Sequence, residues 1–201
     1  MSLLNGIFGP SKEEIWRQIA ADIGGEYIDG GFWKSGVLRY KHNNWEILLD
    51  TWSDGNSGTY TRMRIPFINK DGLQFRIYEE GFFSGIGKAL GNQDIQIEDP
   101  RLDPKFIIQG NNVPKVKKLL RDAQLKALFD VIPRINVRVK SSNGIFSKKF
   151  PPNVDMLLFQ QTGVVKDKEK LKLIFRLFTT LLERLVQIDS AYEDDPGIRL
   201  D

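Results

Sequence analysis

Residues 89–133 read ALGNQDIQIEDPRLDPKFIIQGNNVPKVKKLLRDAQLKALFDVIP, and this passage from loop to short strand to helix decides the fold class. It joins a first half patterned as strands to a second half that ends in a long helix. Ile95 and Ile97 alternate with Gln96 and Glu98, the period of a half-buried strand. Asp99-Pro100 and Asp103-Pro104 follow, and the proline ring holds the residue before it out of the helical region, so a turn lies here. Phe106, Ile107 and Ile108 make a short apolar run, read as a buried strand and closed by Gly110-Asn111-Asn112. Asn112 then caps a helix whose first turn accepts Pro114, because the first amides of a helix have no intrahelical acceptor. This central helix is predicted from Val113 toward Ile132 with a break near Asp122, and Pro133 ends it.

Upstream, the period is two. Residues 27–28, 37–41, 45–52, 59–67 and 73–78 predict successive strands, with turns at Asp29-Gly30-Gly31, His42-Asn43-Asn44, Asp54-Gly55-Asn56 and Lys70-Asp71-Gly72. Their short connections predict that sequence neighbours pair antiparallel, as in a meander. Before them, Ser11 and Glu14 form a capping box. Ile15, Trp16, Ile19, Ala20 and Ile23 share one helical face, which stops at Gly24-Gly25.

Downstream, Ile135, Val137 and Val139 alternate with Asn136, Arg138 and Lys140, and a further strand is expected at 154–161. Asp167 caps a helix predicted to reach about Glu193, about 39 Å long. Leu171, Ile174, Phe178, Leu181, Leu185, Ile188 and Tyr192 step by threes and fours. That heptad seam offers a homodimer through Leu171, Ile174, Phe178, Leu181 and Leu185. Phe175 and Leu182 widen it into a stripe suited to packing on a sheet. The fold class is therefore α+β: a mostly antiparallel sheet, a meander, with an N-terminal, a central and a long C-terminal helix packed on it. Residues 1–10 read as a lead-in, 11–194 as one domain and 195–201 as a loose acidic tail.

Several segments resemble a family of uncharacterised bacterial proteins, a domain of unknown function. They are GNQDIQI at 91–97, FIIQGN at 106–111 and YTRMRIPF at 60–67, supported by Asp103, Lys118-Leu119-Leu120 and EEIWRQIA at 13–20. Where that family has a small residue near Asp99, this chain has Asp-Pro. The resemblance implies no activity.

Composition narrows the function classes. With 201 residues, 41% of them hydrophobic, the chain can bury one sizeable core. Its 29 basic and 26 acidic residues leave a net charge of +3, which does not by itself require nucleic acid or a membrane. There is no cysteine, so disulfides and thiolate metal sites are excluded, and a reducing cytoplasm is the expected location. No apolar run reaches the roughly 18 residues of a spanning helix. The N-terminus shows no charged region followed by an apolar stretch and a cleavage site.

Chemistry-bearing residues are sparse. If 59–67 pairs with 73–78, the outward positions bring Arg62, Arg64 and Arg76 to one face, with Tyr60 and Tyr78 nearby. One reading is an anion-binding face for anionic lipid or nucleic acid, since guanidinium groups beside aromatic rings suit phosphate and bases. The other is a solvated face with Glu46 and Asp50 as partners, the commoner use of such charges. EEGFFSGIGKALG at 79–91 misses the phosphate-loop spacing and has Ala89 where a magnesium-binding hydroxyl would stand. It is expected to be a flap whose Phe82, Phe83 and Lys88 meet a ligand or partner. Asp94, Glu98, Asp99 and Asp103 match no metal loop and read as turn formers. The single histidine, His42, sits in a turn, and neither catalytic residues, metal nor cofactor are expected. The function read from this is a non-enzymatic binding or assembly module for an unknown protein or small ligand, with a carboxylate-dependent hydrolase as a remote alternative.

Overall fold

In the computed structural model, the described residues are 9–31, 35–53, 55, 58–81, 94–141 and 150–200. In chain order they form helix α1 (Lys12–Ile23), strands β1 (Glu26–Ile28), β2 (Val37–His42), β3 (Trp45–Ser53), β4 (Thr59–Asn69), β5 (Phe75–Glu79) and β6 (Phe106–Gly110). Helices α2 (Val113–Leu119) and α3 (Ala123–Val131) follow, then β7 (Asn136–Lys140), β8 (Val154–Thr162), α4 (Lys168–Gln187) and β9 (Ala191–Tyr192). The class is the expected α+β, with one antiparallel sheet.

The capping box forms as the sequence requires. Ser11 Oγ accepts from the Glu14 amide at 3.1 Å, and Glu14 Oε2 accepts from the Ser11 amide at 2.8 Å. Gly24 ends α1 in the left-handed region, at a φ of 75° that a side chain would resist. Trp16 is fully buried and donates its indole N–H to the Val165 carbonyl at 3.1 Å, which ties α1 to the loop between β8 and α4.

The sheet order is β1-β2-β3-β4-β8-β7-β5-β6, with β9 added beside the end of β4. The meander holds through β4 and then breaks, which corrects the expected pairing of β4 with β5. Strand β8 takes the free edge of β4, from Thr61 opposite Gln161 to Ile68 opposite Val154, and β7 lies between β8 and β5. Length explains the choice: β4 is 11 residues long, β8 offers 9 and β5 only 5. The central strand thus satisfies its backbone best against β8.

Register then fixes the faces. Leu38, Leu49, Met63, Phe159, Val137, Ile77 and Ile108 stand in one cross-strand row from β2 to β6, each at most 1% exposed. The helices pack on this side, and their buried faces join the row in one apolar cluster. Leu171, Ile174, Phe178, Leu181 and Leu185 are 0–1% exposed within this chain. The seam read as a dimer surface therefore faces its own sheet, where each side chain contributes about 1.5–3 kcal/mol of burial.

The central helix breaks near Asp122 as expected: Asp122 Oδ1 accepts from the Leu125 amide at 2.9 Å and starts α3 afresh. Other expectations on extent are corrected. The last helix stops at Gln187, because Asp189 turns left-handed at φ 64° and the Ser190 amide donates back to the Leu185 carbonyl at 2.8 Å. Tyr192 therefore lies on β9, opposite Ile68, rather than on the seam. Asn44 donates to the Glu193 carbonyl, Arg199 pairs with Asp195, and Pro196 and Leu200 are buried. The expected strand at Ile95 and Ile97 is a loop that covers the β6 edge, with Ile95 N–H on the Ile108 carbonyl and the Asp94 carboxylate accepting from the Ile108 amide. Among the described residues, no helix is long and apolar enough to cross a membrane.

Candidate functional site

One residue along each strand from the apolar row, every side chain turns to the opposite face. That row reads Arg39, Leu48, Arg64, Leu158, Arg138, Arg76 and Gln109 from β2 to β6. Arg62 and Lys140 stand two residues along β4 and β7 from Arg64 and Arg138, on the same side. The face away from the helices therefore carries a band of cations across the middle of the sheet.

Part of this band is neutralised. Arg62 grips Asp50 with two bonds, Nε to Oδ1 at 2.8 Å and Nη2 to Oδ2 at 2.7 Å, and Arg64 Nη2 reaches the same Oδ2 at 2.5 Å. One carboxylate, nearly buried, thus serves two guanidinium groups. Arg39 lies 3.4 Å from Glu46. The solvated-face reading named Glu46 and Asp50 as partners of Arg62, Arg64 and Arg76; Asp50 takes Arg62 and Arg64, whereas Glu46 meets Arg39. Around Arg62, Trp52 lies with its ring 6.0 Å from the guanidinium and 5.7 Å from the Tyr60 ring. Arg76 is buried over the Tyr78 ring at 4.4 Å.

Among the described residues, no carboxylate lies within ion-pair distance of Arg138. Burial, and then the neighbouring Arg76, hold the Arg138 guanidinium below its usual basicity. Burial, followed by Arg138 and Arg62, does the same to the Lys140 ammonium, and burial lowers Arg76. Arg76 stands directly opposite Arg138 on the neighbouring strand, so an added anion would relieve Arg138.

Beside them the face is hollowed. A groove of about 390 Å³ is lined by Arg62, Arg64, Arg138 and Lys140 on its polar side. Its apolar side carries Trp52, Phe150, Met156, Leu158 and Leu200. Asp155 also lines it, but its carboxylate accepts from Asn69 Nδ2 at 2.7 Å. The predicted Arg62, Arg64 and Arg76 share a face as expected, by a different route from the one expected. Arg76 stands three strand spacings from Arg64, about 14 Å, rather than on an adjacent strand. It lies outside the groove. Phe82, Phe83 and Lys88 lie outside the described residues. Arg138 and Lys140 went unnamed as site residues, although their alternation with Val137 and Val139 places them on the polar face. The missing information was that β7 enters the middle of the sheet.

Other polar clusters serve structure. Asp99 accepts from the Arg101 amide at 3.0 Å and pairs with Lys126 at 3.0 Å, while Asp103 accepts from the amides of Ile97 and Asp99. These acids hold a turn. Ser190 Oγ lies 3.2 Å from Lys115 Nζ and donates to Asp71, but Ser190 is fully buried and clasps the end of α4 to α2 and the β4–β5 turn. His42 Nε2 meets Glu183 at 2.8 Å and holds the β2–β3 hairpin against α4. Among the described residues, no group of three or more His, Cys, Asp or Glu side chains could hold a metal ion.

Fold and face together define an α+β protein whose antiparallel sheet is covered by helices on one side and presents a basic, partly apolar groove on the other. No family model matches the chain, and no curated protein matches it. Among solved structures it is similar in fold to the mycobacterial trehalose monomycolate transport factor A, with a TM-score of 0.51 and 10% identity over 86% of this chain and 95% of that one.

Proposed function

We propose that this chain is a non-enzymatic binding module that holds an anionic ligand on the exposed face of its sheet. The observation that carries this reading is the placement of Arg138 beside Lys140 and Arg76, at a groove among whose described residues no carboxylate balances it. Steering and binding of anions follow from such an excess of one sign on a concave surface. The residue types that serve nucleophilic or acid–base chemistry elsewhere, His42 and Ser190, are tied into structural contacts, in keeping with a binding role. The structural neighbour is titled a transport factor, which accords with a binding role and says nothing of this chain's ligand. A cytoplasmic setting suits a chain without cysteine.

The test is a tryptophan-fluorescence titration with anionic vesicles, single-stranded DNA and inorganic phosphate, at about 50 mM and about 200 mM salt. The expected outcome is a saturable response to at least one of them that weakens with salt and disappears in the Arg138→Gln, Lys140→Gln double variant. Binding unchanged by the double substitution would remove the groove from consideration.

A further inference from the structure

We infer that residues 193–200 form a strap that lies over the outer face of the sheet and opens by itself, while the sheet and its helices stay folded, so that it governs access to the groove. This goes beyond the binding reading and needs no anion on Arg138. The first observation is a second apolar cluster. Leu48, Val154, Leu158 and Leu200 are each at most 8% exposed, yet none belongs to the cluster beneath the helices. Leu48 and Leu158 stand on either side of Arg64 in one cross-strand row, and alternation puts Val154 on the same outer face. The described helices pack on the other side. Cover comes instead from the C-terminal segment, whose Leu200 lines the groove together with Val154 and Leu158.

The second observation is how this segment is held. It leaves β9 at Glu193 beside the β2–β3 turn, where Asn44 Nδ2 donates to the Glu193 carbonyl at 2.8 Å. Asp195 and Arg199 then lie within electrostatic reach of Lys41 and Glu46, which face each other across β2 and β3 on the outer side. The path thus runs from the hairpin to the groove. Among the described residues, the Asn44 bond is the one hydrogen bond that joins residues 193–200 to the rest of the chain. The remaining bonds are internal: Asp195 accepts from the Gly197 amide at 2.9 Å and pairs with Arg199 at 3.0 Å. Pro196 and Leu200 are buried, while Gly197 and Arg199 between them are exposed. A segment secured by two apolar side chains and one hydrogen bond is a unit of low local stability, and such units open without global unfolding.

The chain has no cysteine, so a single introduced thiol reports local opening without background. Two pairs of adjacent leucines serve. Leu48 and Leu158 lie on the strapped face, whereas Leu49 and Leu157 turn to the helix-covered face and are fully buried. Each is changed to Cys in turn in the full chain, and alkylation by iodoacetamide is followed by mass spectrometry. Urea unfolding gives the global stability of each variant. The expected result is that Leu48→Cys and Leu158→Cys react at least about tenfold faster than their inner neighbours, once rates are normalised to global stability. Leu200→Ser, added to each, should speed the outer pair at least about tenfold through lost apolar burial, and leave the inner pair unchanged after the same normalisation.

Outer and inner sites reacting at one normalised rate would mean that the segment leaves only when the whole domain unfolds, and would overturn the strap. Fast outer sites that Leu200→Ser does not change would overturn it as well, since the cover would then come from elsewhere. If Leu48→Cys fails to fold, the Leu158 and Leu157 pair decides alone. The two readings fail separately: a groove that holds no anion leaves the strap standing, and a strap that never opens leaves Arg138 open to an anion.

Discussion

At the scale of single residues, Asp50 is the most informative position. Its carboxylate pairs with both Arg62 and Arg64 and is mostly shielded from water. Asp50→Asn should destabilise the fold by about 1–3 kcal/mol in urea unfolding, through weakened charged hydrogen bonds. The same change removes one negative charge beside the groove, so binding of an anion should tighten. A variant that lost stability and affinity together would show that Asp50 shapes the groove rather than balancing it. Asp99 gives a pH signature. Lys126 and the amides of Arg101 and Leu102 hold its carboxyl below the usual carboxylate range. A carboxyl with a lowered folded pKa stabilises above its unfolded value, about 4, and that contribution is lost as pH falls through the folded value. Asp99→Asn should therefore lower the melting temperature at pH 7, with the gap to the parent protein closing as pH drops below about 4. At this scale the sequence showed which residues face outward, because alternation along Thr61–Phe67 and Ile135–Val139 is strict. It did not show that Arg138 lies between Leu158 and Arg76, since no local pattern reports a strand's neighbours.

At the scale of elements, caps were legible and lengths less so. Ser11, Asn112, Asp122 and Asp167 each accept from an amide three residues on. Asp122→Ala should cost about 1 kcal/mol in denaturant unfolding, the usual worth of an N-cap, and should act on α3. Gly110 is a tighter constraint. A Cβ there would stand 2.6 Å from Val116 Cγ2 and 3.0 Å from the Gln74 carbonyl. Gly110→Ala should destabilise by about 1–3 kcal/mol, since the helix α2 that follows β6 would have to shift. The end of α4 escaped a reading by period because the apolar spacing runs on past Asp189 to Tyr192, while the backbone turns left-handed at Asp189. Periodicity records which side chains are apolar and is silent on whether the chain between them is still helical.

For the whole molecule, the test is whether α4 belongs to its own sheet. Leu181 is fully buried on the helix-covered face. Leu181→Ala should cost about 2–5 kcal/mol by leaving a cavity, and light scattering should give the same mass for parent and variant. A change of mass with little change in unfolding free energy would return the seam to the role of a subunit interface. The C-terminal segment belongs to the same scale. Read alone it is short and acidic, and only its route across the outer face brings Leu200 into the groove wall.

By itself the sequence determined the α+β class, the elements and their caps, and the inward or outward direction of nearly every strand residue, because these depend on neighbours within a few positions. The tertiary structure alone decided the order of strands. The insertion of β8 and β7 beside β4 satisfies the longest strand's backbone and seats the helix stripes on one face. That order sets Arg138 and Lys140 across from Arg62 and Arg64, with Met156 and Leu158 between them. A groove built from residues as far apart in the chain as Trp52 and Leu200 has no local signature, since its shape comes from pairing over long separations.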